Sequence, residues 1–443
     1  MATVTVAGAH GQTVTLSFDT NANAVLAQKL ADAITSGVQA GSILPAVDTD
    51  GPPPPVPAGK TGEFVITENG AVILPQRYDA VVNTANDAIV FGSGDAGESV
   101  LSSIGNLTFF ATGGSGTVAA GGGDNRIVIP GSDKGAWSVN TGKGDDSVLA
   151  AGGGNDTINA GGGHNAITLG SGDDIVQSTG DDTVNAGSGS ETITAIGKHH
   201  DLIYGNASQL FFVTTDGSAT VFGGSGSDTF FGGKGKDVVY GGSGGNNLLF
   251  AGTGKATLFG GGDGDQLYAA GSRDQALHAG AGNETLFGGF ASGADTFYGG
   301  TGAAQITGGL GNDTFVAGTG SATITSGLGS NQFVFTNGQA GGTELIQGFT
   351  SGRDLVDLQD YGKNEVAKAL KSQTVVGGSD TITLSDNTTI TFAGVQNLTA
   401  SDFITSGGNG SANGGGPGHG KSGNANANAD DHGHIRDSFF GHS

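Results

Sequence analysis

Along most of this chain, apolar residues do not recur with the 3.6-residue rhythm of a helix. They fall in short Val/Ile/Leu/Phe strands of three residues, separated by six-residue polar turns rich in glycine. The unit is clearest in Gly223-Gly224-Ser225-Gly226-Ser227-Asp228-Thr229-Phe230-Phe231. It repeats at once from Gly232 to Tyr240 and returns from Gly308 to Val316. Its eighth position stays apolar through the second block of repeats, reading Phe230, Val239, Leu248, Leu258, Leu267, Leu277, Leu286, Phe297, Ile306, Phe315, Ile324 and Phe333. A nine-residue period with one inward side chain per strand predicts an all-β fold. The expected architecture is a right-handed parallel β-roll, a β-solenoid whose turns stack without a single large core.

Other patterns flank the roll. Residues 3–18 alternate apolar and polar, as two short strands would. Asn21 to Ser36 predicts one amphipathic helix, with Val25, Leu26, Lys29, Leu30, Ala33 and Ile34 at helical spacing and Gly37 past its end. The resulting plan places a small strand-helix unit at 1–45 and a stiff Pro-rich linker at 46–60, around Pro52-Pro53-Pro54-Pro55. A degenerate β lead-in follows at 61–140, with Gly121-Gly122-Gly123-Asp124-Asn125 as its first recognisable turn. The repeats occupy 141–334, although 195–222 keeps strand character and loses the glycine frame. A C-terminal capping module at 343–404 includes a short helix over Asn364 to Lys371. The Gly/Asn/His tail at 405–443 lacks apolar periodicity and is expected to be disordered.

Composition narrows the chemistry. The 88 glycines follow no collagen period and so belong to turns. With 41 acidic residues against 17 basic, the formal charge of −24 argues against nucleic acid partners and for cations. No cysteine is present, which excludes disulfides and thiolate metal sites. Met1 to Ser17 lacks the basic and apolar regions of a cleavable secretory signal, and no run of 18 apolar residues offers a membrane-spanning helix.

The sixth position of the repeat, often Asp, and the carbonyls of the turn are hard oxygen donors that suit Ca²⁺. The candidate ligands are Asp146, Asp156, Asp174, Asp182, Asp228, Asp237, Asp265, Asp274, Asp295 and Asp313. Carbonyls such as those of Gly224, Gly226, Gly233, Gly235, Gly309 and Gly311 would join them. Two nonapeptides per coil stack ligands about eighteen residues apart. One edge would then carry Asp237, Ala256, Asp274, Asp295, Asp313 and Asn331; the other would carry Asp228, Asn247, Asp265, Glu284, Ala304 and Ala322. The strongest stacked pairs are Asp274 with Asp295, Asp295 with Asp313, and Asp156 with Asp174. Asp146 and Asp182 share an edge with Asn165 between them. Because Ala256, Ala304 and Ala322 interrupt the rows, the expectation is a partial ladder of several ions. The competing reading is a metal-free solenoid in which Asp and Asn cap backbone groups.

These nonapeptides resemble the hemolysin-type calcium-binding repeats of the RTX family, substrates of bacterial type I secretion. Glu344-Leu345-Ile346-Gln347-Gly348-Phe349, Arg353-Asp354-Leu355-Val356-Asp357-Leu358 and the later Leu398-Thr399-Ala400-Ser401-Asp402-Phe403-Ile404 resemble the module that follows the repeats in serralysin-type proteases. The resemblance implies export by the type I machinery, with an uncleaved signal in 343–404 or at Asp437-Ser438-Phe439-Phe440, and folding by Ca²⁺ outside the cell. Protease activity does not carry over, since no H-E-x-x-H is present. Gly415 to Ser422 matches a phosphate-binding loop in letters but lacks the strand and helix that such a loop requires. His199-His200-Asp201 reads as a divergent turn or a transition-metal site, and the tail histidines His419, His432, His434 and His442 as adventitious metal binders. The reading is a secreted, extracellular calcium-binding protein, a structural, matrix or adhesive component of a bacterial surface, and not an enzyme. Its partners would be Ca²⁺, the secretion machinery, and surface polysaccharide or further copies of itself. Self-assembly into a surface layer or fibril is one alternative; a polysaccharide-active enzyme on a solenoid face is another.

Overall fold

The computed structural model describes residues 1–206, 209–289 and 291–404. The expectations made for 405–443, namely disorder, the loop look-alike at Gly415, the tail histidines and the signal near Phe439, lie outside the described residues.

At the N-terminus, β1 (Ala2–Ala7) pairs antiparallel with β2 (Thr13–Phe18), as the alternation predicted. Helix α1 (Asn21–Gln39) follows, with the Thr20 hydroxyl accepting the Asn23 N–H as its cap. The helix runs through Gly37 instead of ending before it. A Cβ at Gly37 would stand 2.5 Å from Ile43 Cδ1, so this glycine makes room for the following strand and does not stop the helix. Val4, Val6, Leu16, Phe18, Ala27, Ala31 and Ile34 pack on Val65, Ala80, Val82, Leu101 and Ala119. The unit therefore covers the outer face of the first coils. Asn23 Nδ2 ties it down by donating to the carbonyls of Ala120 and Thr141, at 2.8 and 2.6 Å.

The remainder is a parallel β-solenoid of about 17 turns, each coil giving one strand to each of two facing sheets. One sheet starts at Ile43–Val47, passes through Thr61–Ile66 and Tyr78–Asn83, and reaches Thr343–Gln347 and Thr389–Ala393. The other starts at Gly70–Ile73 and reaches Leu355–Gln359 and Phe403–Ile404. Among the described residues no ladder joins the first strand of either sheet to its last, so both are open stacks. The inward row of the second sheet runs in register as Val221, Val239, Leu258, Leu277, Phe297, Phe315 and Phe333, every one buried. Phe297, Phe315 and Phe333 stack ring on ring at 5.3 and 5.0 Å.

Two expectations need correction. The stiff linker expected at 46–60 is partly strand and packed on the roll: Ala46 and Val47 pair with Phe64 and Val65, and Tyr78 Oη donates to the Pro54 carbonyl at 2.8 Å. The 61–140 lead-in is already wound into the coil, because winding needs the inward apolar residue at each rung more than it needs the glycine frame. Finally, Leu249, not Leu248, points inward. The turn Gly241–Asn247 has seven residues where Gly232–Asp237 has six. Asn246 absorbs the extra one in a left-handed conformation at φ 60.

Candidate metal centre

Two residues before each inward side chain, the chain places a position that is buried at the edge of the roll everywhere but at Gly116. On the edge of the second sheet it reads Asn125, Asp146, Asn165, Asp182, Asp201, Ala219, Asp237, Ala256, Gln275, Asp295, Asp313, Asn331 and Asp354. On the first sheet it reads Glu98, Gly116, Trp137, Asp156, Asp174, Glu191, Leu210, Asp228, Asn247, Asp265, Glu284, Ala304, Ala322 and Glu344.

Successive rungs are linked in one repeated way. One side-chain oxygen accepts the backbone N–H of the equivalent residue one coil earlier. Asp174 Oδ1 takes Asp156 N at 2.7 Å, Asp313 takes Asp295 N at 3.0 Å, Asp237 takes Ala219 N at 2.9 Å, and Asp228 takes Leu210 N at 2.9 Å. The stacked pairs Asp156/Asp174 and Asp295/Asp313 are thus adjacent, and Asn165 sits between Asp146 and Asp182, donating its Nδ2 to Asp182 Oδ1 at 2.7 Å.

The second oxygen separates two kinds of rung. Asp174 and Asp295 each keep an Oδ2 that is buried without a hydrogen-bond partner; Asp146, Asp182 and Asp237 also leave Oδ2 without a bond of normal geometry, though Thr141, Ser178 with Gly180, and Gly233 lie close enough to steady those carboxylates. In Asp228, Asp265 and Asp313 that oxygen accepts the N–H of Gly224, Gly261 or Gly309 from the same turn, at 2.8 to 3.0 Å. A buried, ionised oxygen with no donor is costly unless a cation meets it. Those orphaned oxygens, facing turns rich in carbonyls, are the places that fit a hard divalent ion. Burial pushes Asp295 and Asp156 up to about 7, with the carboxylates of Asp313 and Asp174 adding to the effect, and it pushes Asp146 and Asp237 up to about 6. Asp174, Asp182, Asp228 and Asp313 shift upward for the same reason.

Among the described residues no three His, Asp or Glu side chains converge on one point. A cation here would need backbone carbonyls to complete its oxygen shell. The carbonyls expected to serve differ in their surroundings. Those of Gly224, Gly233 and Gly309 accept N–H groups from the next coil, for example Ser243, Thr253 and Leu328 at 2.9 to 3.0 Å. Those of Gly226, Gly235 and Gly311 press on the next glycine instead. A Cβ on Gly244, Gly254 or Gly329 would lie 1.8 to 2.0 Å from them. At Gly244 and Gly254 close approach of turns demands glycine, not an unusual φ.

One predicted ligand is misplaced. Asp274 is exposed and accepts the Ala294 N–H at 3.1 Å, while Gln275 occupies the buried ladder position. The cause is again a seven-residue turn, 269–275, so the pair Asp274/Asp295 does not form. Asp201 of the His-His-Asp segment belongs to the ladder. Its Oδ1 accepts the Ser178 hydroxyl at 2.7 Å, and the His200 N–H donates outward to Asp181.

Sequence reading missed Glu98. It is fully buried, Oε1 accepts Ser93 N at 3.2 Å, Oε2 lacks a partner, and burial pushes it up to about 7. Its signal was the same two-residue spacing to the inward Val100, with Glu in place of Asp.

This turn ladder on a parallel solenoid defines an acidic β-roll. Residues 140–176, 178–195, 213–248, 242–276 and 291–332 match the family model described as RTX calcium-binding nonapeptide repeat (4 copies), and the chain carries RTX calcium-binding repeats. No curated protein matches the chain. No helix of the described residues is long and apolar enough to cross a membrane.

Proposed function

We propose that this protein is exported in an unfolded form through a type I system and folds outside the cell around several calcium ions. There it serves as a structural, matrix or adhesive component of a bacterial surface and has no catalytic role. The observation that carries this reading is the set of buried Asp oxygens without hydrogen-bond partners, four along the second sheet's edge and Asp174 on the first. In a cytosol poor in calcium these charges oppose coiling, and millimolar calcium outside would neutralise them, turning binding energy into folding energy.

The outer faces support a surface role over a catalytic one. Tyr204, Phe222, Tyr240, Phe259, His278 and Tyr298 form one stacked row, with ring centroids 4.0 to 5.4 Å apart. Their ring faces are occupied by one another, so the row presents a flat, uncharged ridge of ring edges. To test the reading, the chain would be expressed with a type I exporter and followed in cells, on cells and in medium, with and without calcium. Accumulation outside, cell-associated only when calcium is present, is expected. Retention inside with the exporter active would overturn the secretion reading, and full release into the medium in calcium would overturn the surface role.

A further inference from the structure

Where the neighbouring rungs hold a carboxylate, Gln275 holds an amide, and its surroundings are informative. Its Nε2 lies 3.0 Å from Gly252 O, 2.8 Å from Gly254 O and 2.8 Å from Ala270 O, while its Oε1 accepts the Ala270 N–H at 2.8 Å. Two of these carbonyls come from the preceding coil and one from its own turn. The residue is only 3% exposed, and its backbone N–H still donates to Asp295 Oδ1 at 2.8 Å, so the rung keeps its place in the ladder.

Carbonyls only accept. Whatever sits where three of them converge must be a donor or a cation. A smaller version, with two carbonyls of the residue's own turn, occurs at Asn247, whose Nδ2 donates to Gly241 O and Gly244 O, both at 3.0 Å. Asn125 has another, with Gly121 O at 3.2 Å and Gly123 O at 2.9 Å, and its Nδ2 also donates to Asp146 Oδ1 at 3.0 Å. Asn331, by contrast, has no partner for its Nδ2. We propose that Gln275, Asn247 and Asn125 are built-in substitutes for calcium, each a latent cation site closed by a side-chain N–H₂ group. The inference rests on the calcium reading of the neighbouring Asp rungs.

The placement has a consequence for the roll. On the second sheet's edge Ala256 and Gln275 follow one another without a carboxylate, and the rungs facing them are Asn247 and Asp265, whose Oδ2 is already capped by the Gly261 N–H, so about two coils here depend least on an ion. Carboxylate rungs flank the stretch, Asp228 and Asp237 before and Glu284, Asp295 and Asp313 after. In a solenoid whose stability is passed between neighbours, such a stretch is a calcium-independent seed from which the ion-dependent coils grow.

The test is Gln275→Glu in the full chain, which replaces N–H₂ by O and little else. Bound calcium would be counted by isothermal titration, and thermal unfolding followed in chelator and in calcium. The expected result is one more calcium than the wild type, a lower Tm in chelator, and a larger rise of Tm on adding calcium. Asn247→Asp should behave in the same way and covers the case in which the first variant does not fold. Unchanged stoichiometry together with an unchanged Tm in chelator would overturn the proposal, as would failure of both variants to fold at saturating calcium. A wild type that binds no calcium would instead overturn the calcium reading. The Tm of Q275E in chelator would then decide the role of the amide by itself.

Discussion

Each ladder aspartate divides its two oxygens between two tasks: one ties its coil to the coil before, and the other waits for a cation or caps its own turn. Asp174→Asn and Asp295→Asn keep the first task and cancel the second. Each is expected to weaken calcium binding while leaving the chelated roll as stable as before or more so, since a buried charge has been removed. Asp265→Asn, where Oδ2 already caps Gly261, should change calcium affinity less; titrating the three side by side checks the order. The pH dependence follows from burial. Asp295 and Asp156 rise from 3.8 to about 7, and Asp146, Asp201 and Asp237 to about 6. Without calcium, the folded roll then holds more protons than the unfolded chain between these limits. Its stability is greatest below that window and falls as pH rises through it, each such carboxyl costing at most about 1.4 kcal/mol per pH unit. Calcium needs the deprotonated ligands, so the stabilisation it gives grows across the same window. Melting curves in chelator from about pH 4 to about pH 7.5 should move to lower temperature, and the gap to the calcium curves should widen. A rising Tm in chelator would show that these carboxylates are already ionised and satisfied.

Among the strands and turns, the nine-residue period was readable because each strand must bury one side chain, and a polar residue there would leave the row of Phe230, Val239 and Leu258. Turn length was not readable. Insertions in glycine-rich turns cost little, and the same letters fit two frames: Leu248-Leu249 offers two apolar residues, and Asp274-Gln275 offers a tempting carboxylate one place early. The lead-in was readable as degenerate strands at 61–140 but not as ladder rungs, since Val81, Val100 and Val118 keep the inward row without the Gly-Asp signature. Leu249→Ala is expected to cost about 2–5 kcal/mol and Leu248→Ala well under half of that; equal losses would mean the register is wrong. Gly244→Ala would drive a methyl group into the Gly226 carbonyl and should cost about 1–3 kcal/mol or more. Gly362→Ala, with nothing within 4 Å of its Cβ, should be near neutral. Denaturant unfolding in saturating calcium reads both pairs.

For the molecule as a whole, the ends and the middle have different tasks. Residues 1–39 cover the outer face of the first coils, and the 343–404 segment closes the far end with a helix at Glu365–Lys371 and an antiparallel hairpin, Ser379–Thr383 with Thr389–Ala393. Between them the apolar row is unbroken, but the carboxylate ladder is interrupted, so folding should be a balance between a core that favours coiling and charges that oppose it. That balance is what calcium is held to tip. It is tested most directly by far-UV circular dichroism of the full chain, titrated from chelator to about 10 mM calcium, a range that covers extracellular calcium modules. The predicted result is a cooperative gain of β signal with calcium, from a chelated chain that is only partly folded near neutral pH, together with a higher Tm. A full β spectrum in chelator, with a Tm that calcium does not raise, would contradict the account and leave the apolar row as the sole source of the fold.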